Sequence, residues 1–202
     1  MPTHKHANTI VEINSLIAQR WSGRSFNPEK EIHNDALLAL LEASRWSPSC
    51  YGEQPWHFIV FNRFDDNPAW QQALSTLNES NAIWAKRAPV LILVTANTLF
   101  SANGKPNQWA SYDTGASVMS LSLQATAEGL MTHQIGGFNA DKVRAQFNLP
   151  ENINPLAIIA LGYPAPGDNL PETLAEKEAA PRHRNPISQN FFRNQWGQGF
   201  NE

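Results

Sequence analysis

The sequence predicts a mixed α/β sandwich of the α+β class, one sheet covered by helices, and three observations predict it. Short apolar runs rich in β-branched residues recur at 57–61, 88–95, 131–135 and 155–162, separated mostly by segments of helical periodicity. At 202 residues the chain can bury about 70% of the surface its unfolded form exposes, so one core suffices without staples. No Gly-x-Gly-x-x-Gly follows a candidate strand and no Walker pattern occurs, which argues against a Rossmann or P-loop nucleotide site.

The elements follow in order. Over 9–20, Ile10, Ile13, Leu16 and Ile17 form a helical stripe, which ends where the segment Arg20-Trp21-Ser22-Gly23-Arg24-Ser25-Phe26 loses the period ahead of Pro28. Asn34 suits an N-cap for a helix over 35–46 with Leu37, Leu38, Leu40 and Leu41 on its buried side, and Pro48 terminates it. Residues 57–61 read as a strand and 69–77 as a helix. The apolar run 88–95 suits a strand covered on both faces. A polar loop over 97–107 leads to a long helix over 109–128, about 30 Å in length, with Gly129 as its C′ residue.

That helix is built largely from small residues, among them Ala110, Ser111, Thr114, Gly115, Ala116, Ser117 and Ser120. Two readings stand: a buried central helix within one subunit, or a helix at a dimer axis. A strand at 131–135, the pair Gly136-Gly137, a helix over 141–147 and a strand at 155–162 complete a core spanning 1–162. Residues 163–186, rich in Pro, Glu and Ala, read as an extended arm. Phe191, Phe192, Trp196 and Phe200 beyond it suggest docking, with a partner subunit as one candidate surface. The arm and tail, 163–202, form a second unit.

A net charge of −3 does not suit a nucleic-acid partner, and a single cysteine, Cys50, excludes an intramolecular disulfide framework and favours a reducing compartment. The start of the chain, 1–8, is polar, and the apolar run at 88–94 is too short to span a bilayer as a helix, so a soluble, cytoplasmic protein without membrane association is expected. The six histidines show no metal-ligand spacing with Cys or carboxylates beyond the start of the chain, so no metal site is expected.

Four clusters carry potential chemistry. In an extended segment Arg20, Ser22 and Arg24 point to one side, where two guanidinium forks and a hydroxyl could hold a phosphate; a solvated basic loop is the plainer reading. Pro48-Ser49-Cys50-Tyr51-Gly52-Glu53-Gln54-Pro55-Trp56 is a rigid turn in which Ser49 and Gln54 offer polar contacts. Gly136 and Gly137 leave backbone N–H groups uncovered for a flat ligand, or simply make a turn. Arg182 and Arg184 repeat the phosphate-binding logic of the first cluster.

In this order the clusters resemble the nitroreductase family of FMN enzymes, over about residues 13–186. The Arg-x-Ser-x-Arg, the Pro-Ser…Gln-Pro-Trp, the Ala88-Pro89-Val90 strand start, the Gly-Gly-Phe turn and the late Arg-x-Arg are each weak and jointly strong, the second being the most specific. The resemblance implies a three-layer α/β/α sandwich with a central mixed β-sheet, dimeric, with a C-terminal arm that completes the phosphate site and wraps the partner. It implies Arg20, Arg182 and Arg184 on the FMN phosphate, Ser22 on phosphate or ribityl oxygens, and Arg24 and Asn81 at the pyrimidine edge. Gly136 and Gly137 would lie near N5 and O4, and the loop bearing Pro48, Ser49, Cys50 and Gln54 would line the cofactor from the other subunit.

The implied activity is a ping-pong transfer of hydride from NAD(P)H through FMN to nitroaromatics, quinones or similar flat, electron-poor acceptors, with no general-base residue. Gly52 stands where many relatives have Asn, and Cys50 where a small residue is usual. His133 reads as structural. Two alternatives remain: a specialised enzyme of the same fold, dehalogenase-like or flavin-cleaving, for which the short, polar segment 97–107 makes a poor lid; and a non-catalytic FMN-binding protein.

Overall fold

The computed structural model describes residues 5–167 and 170–200; the first four residues of the polar start and the last two of the tail lie outside it. The elements are α1 (Ser15–Gln19), α2 (Asn34–Arg45), β1 (Trp56–Asn62), α3 (Asn67–Leu74), α4 (Glu79–Ala85), β2 (Val90–Asn97), α5 (Ala110–Ala127), β3 (Met131–Ile135), α6 (Ala140–Gln146), β4 (Ile153–Gly162), α7 (Glu172–Ala179) and α8 (Ile187–Asn190). The strands form one sheet in the order β1-β2-β4-β3.

β2 sits inside that sheet, and its side chains alternate between two cores. Val90, Ile92 and Val94 join Leu37, Leu40, Val118 and Leu121, so α2 and α5 cover one face. Leu91 and Leu93 join Trp70, Ala73, Trp84 and Val143, so α3, α4 and α6 cover the other. The result is the three-layer α/β/α sandwich. Each of these aliphatic side chains, removed from water, contributes about 1.5–3 kcal/mol. Pro155, which has no N–H to donate, sits in β4 where the register slips between Val94 and Thr95, since a bulge tolerates the missing ladder bond.

Several expectations need correction. The pairings among the described strands are all antiparallel, where a mixed sheet was expected. The first helix is confined to Ser15–Gln19 and capped by Asn14, whose side chain accepts the Leu16 N–H. His33, rather than Asn34, occupies the N-cap position of α2. α4 was not anticipated. The stretch read as a wholly extended arm contains α7, because Leu170, Leu174 and Ala175 find the core that its composition does not advertise.

α5 settles against α2 and the turn that follows it through hydroxyl pairs, Ser44 Oγ–Ser117 Oγ at 2.6 Å and Ser47 Oγ–Ser120 Oγ at 2.7 Å. Small side chains allow that approach. The opposite side of α5 leaves Tyr112, Gly115 and Met119 exposed. Among the described residues no helix is long and apolar enough to cross a membrane, and no cluster of His, Cys, Asp or Glu could hold a metal.

Candidate functional site

The segment between α1 and Phe26 is the scaffold of the site. Burial alternates along it as an extended spacing predicts: Gly23 and Ser25 are buried, while Arg20, Ser22 and Arg24 face outward to different degrees. Phe26 bridges to Pro164 and pins the inner end. Arg20 Nη1 reaches Ser22 Oγ at 3.4 Å. Burial, and then the charges of Arg182 and Arg184, pull the Arg20 guanidinium below its ordinary value. Arg182 is displaced in the same direction, by burial and then by Arg184. Cations from opposite ends of the chain thus crowd one another. The ion pairs among the described residues, Arg24–Glu178 and Arg45–Glu42, include none of the three. Such a set is complementary to a dianion such as a phosphate monoester.

Arg182 is fixed by donating from Nη1 to the carbonyls of Lys5 at 2.7 Å and Ala18 at 2.8 Å. Arg184 is exposed and donates to the His183 carbonyl. Arg20 borders a pocket with Thr126, Gly129 and Met131, at the carboxyl end of α5, where the helix dipole favours a cation.

Arg24 lies 6.0 Å from the ring of Trp84, a buried residue of α4. Trp84 in turn packs on His133 of β3 with ring centroids 4.5 Å apart. One turn earlier on α4, Asn81 donates from Nδ2 to the Gly137 carbonyl at 3.1 Å. A Cβ on Gly137 would come within 2.5 Å of that nitrogen, so glycine is required here by close approach. Gly136 is different: a Cβ there would meet nothing, because its outer side is open. An uncovered backbone beside an amide suits the polar edge of a flat heterocycle.

Pro48, Ser49, Cys50 and Gln54 lie elsewhere. Ser49 Oγ accepts the Gln54 N–H at 3.0 Å and Asp113 Oδ2 accepts the Cys50 N–H at 2.9 Å, which ties the loop to the first turn of α5. Tyr51, Gly52 and Gln54 adopt positive φ, so the turn is sharp. The loop precedes β1 at one edge of the sheet, and Gly136 and Gly137 follow β3 at the other, about 14 Å away by strand spacing. Arg20 lies at the far end of α5, which is about 27 Å long. Within one chain, therefore, Arg20, Ser22, Arg182 and Arg184 gather near the start of β3, and Arg24 lies by Trp84 and His133 along it. Asn81, Gly136 and Gly137 lie past its end, about 17 Å on, and the Pro48–Gln54 loop joins none of these.

The sequence did not point to Glu178 or Trp84, which shape this region. Glu178 falls in a stretch of Pro, Glu and Ala, where one carboxylate looks like any other. Trp84 sits on the short α4, whose seven residues show too little periodicity to stand out.

Comparison with known proteins gives the family and the fold. The Nitroreductase family model matches residues 17–163. An NADH dehydrogenase of Thermus thermophilus is 27% identical over 88% of this chain and 94% of its own. An oxygen-insensitive NAD(P)H nitroreductase of Salmonella typhimurium is 23% identical, over 76% of this chain and 89% of its own. The crystal structure of an oxidoreductase containing FMN superposes with a TM-score of 0.90 at 29% identity, covering 98% of this chain and 100% of that one. A match across most of the chain, together with the shared three-layer fold, places this protein in the nitroreductase family of oxidoreductases.

Proposed function

We propose that the protein is an FMN-dependent reductase that uses NAD(P)H to reduce nitroaromatics, quinones or similar flat, electron-poor acceptors. The observation that carries this reading is the gathering of Arg20, Arg182 and Arg184 near the start of β3 with no ion-pair partner among the described residues, Arg182 being held on the Ala18 carbonyl, together with the open backbone at Gly136 past the end of the same strand. The donor set fits FMN: Arg20, Ser22, Arg182 and Arg184 would hold the phosphate, Arg24 and Asn81 the pyrimidine edge, and Gly136 and Gly137 the neighbouring ring atoms. When bound, the flavin supplies the hydride exchange with nicotinamide and acceptor. The chain's own residues bind it, fix its orientation and keep a cation near its pyrimidine edge.

The same reading calls for a second copy of the chain. The Pro48–Gln54 loop is too far from the arginine cluster to share a ligand within one protomer, whereas the exposed face of α5 offers a surface on which two copies could meet. The tail beyond Arg184 would then lie over the partner, with Phe191, Trp196 and Phe200, all exposed here, as its contacts.

The test is an absorption spectrum of the purified protein, followed by NADPH without oxygen. Flavin bands that bleach on NADPH and return with a quinone are expected. Bands that do not bleach would overturn the reductase reading, and a protein that neither carries nor takes up FMN would overturn the cofactor as well.

A further inference from the structure

Glu178 is buried, 8% exposed, on α7 in the arm, yet its partners lie in the 20–26 segment. Oε1 accepts the backbone N–H of Arg24 at 2.9 Å and of Ser25 at 3.2 Å. Oε2 accepts the Arg24 N–H at 3.1 Å and lies 4.0 Å from its Nη1. Successive backbone N–H groups facing one point form an anion-binding concavity, and here the arm supplies the anion. The contact is tight: a Cβ on Gly23 would come within 2.9 Å of Oε1 and 2.4 Å of Met131 Sδ.

The carbonyl of Gly23 and the N–H of Arg24 belong to one planar peptide unit. His133 Nδ1 lies 3.0 Å from that carbonyl, so a neutral imidazole protonated at Nδ1 donates to it. One peptide is therefore gripped at its oxygen by β3 and at its nitrogen by α7. Docking α7 does not by itself call for this, since Leu170, Leu174 and Ala175 already pack on the core. A buried carboxylate also carries a desolvation cost that an apolar side chain would not.

We infer that Glu178 is a positioning residue of the flavin site: with His133 it clamps the Gly23–Arg24 peptide and so aims the Arg24 side chain at the ring end of the cofactor. This rests on the FMN reading above. The action is on the ring end and not on the phosphate, which the other arginines hold.

The experiment is a double-mutant cycle on flavin affinity, by fluorescence titration of the full chain with FMN and with riboflavin, which lacks the phosphate. E178Q keeps an oxygen for the backbone N–H groups and removes the charge facing Arg24. It should weaken FMN and riboflavin alike by about tenfold, and in an R24A background it should add less than about twofold. Circular dichroism and thermal unfolding without flavin verify the fold, and E178D, which keeps the charge, takes the same test if E178Q does not fold. Wild-type affinity in the Glu178 variants, or full additivity with R24A, would overturn the proposal. So would loss of FMN binding with riboflavin binding unchanged, which would make Glu178 a mere anchor of the arm. A wild-type chain that binds neither flavin would overturn the cofactor reading and this inference with it.

Discussion

His133 illustrates how a single residue reports on its surroundings. Its pKa is lowered to about 4, first by burial and then by the nearby charges of Arg24 and Arg20, against the opposing hydrogen bonds to Gly23 and Ser22. Unfolding exposes an ordinary imidazole that titrates near 6.5. Between about pH 4 and 6.5 the unfolded chain binds the extra proton, so stability is fully present above 6.5 and falls as pH drops through that window. The loss reaches about 3 kcal/mol if this histidine acts alone. Thermal unfolding measured across pH 4–7 should show that slope, and His133→Asn, which can still donate to Gly23, should flatten it; an unchanged slope would remove His133 as its source. The glycine pair offers a sharper contrast. Gly137→Ala drives a Cβ into Asn81 and should lower both stability and FMN affinity, whereas Gly136→Ala meets no protein atom. Gly136→Ala should therefore leave the melting of the flavin-free protein unchanged while weakening FMN, as titration and melting curves would show together.

At the scale of elements, the cation cluster separates residues that bind from residues that also build. Arg182 donates to the Lys5 and Ala18 carbonyls and so ties the arm to the start of the chain; Arg184 bonds its own neighbour. Both variants, Arg182→Ala and Arg184→Ala, should weaken FMN by about tenfold, as expected for one charged hydrogen bond to phosphate. Melting of the flavin-free protein should drop for Arg182→Ala alone, and equal melting of the two variants would remove the distinction. Elements with a long or uninterrupted pattern were legible in the sequence, β2 from its apolar run and α5 from its length and Gly129. α7 was not, because its anchoring residues are too few to form a stripe. The antiparallel pairing was not legible either, since register is set by partners distant in the chain. The family motifs named a set of site residues, whereas the Glu178 clamp joins positions 154 apart and leaves no local mark.

At the scale of the molecule, the division of the predicted site between two regions leads to an assembly prediction. Gly115 lies on the exposed face of α5 with open space where a side chain would begin. Within one chain Gly115→Arg is therefore sterically free, and it improves helix propensity by about 1 kcal/mol, so loss of fold is not its expected consequence. If two copies meet through this face, a buried, unpaired guanidinium at the contact is strongly unfavourable. Sedimentation velocity should show the wild-type protein at twice the chain mass and Gly115→Arg at one. The variant should also lose FMN, although it leaves Arg20, Arg24, Arg182 and Arg184 untouched, because the Pro48–Gln54 loop would no longer be brought to them. A monomeric variant that binds FMN with wild-type affinity would show that the loop is dispensable for the cofactor. A dimeric variant with FMN intact would place the subunit contact on another face.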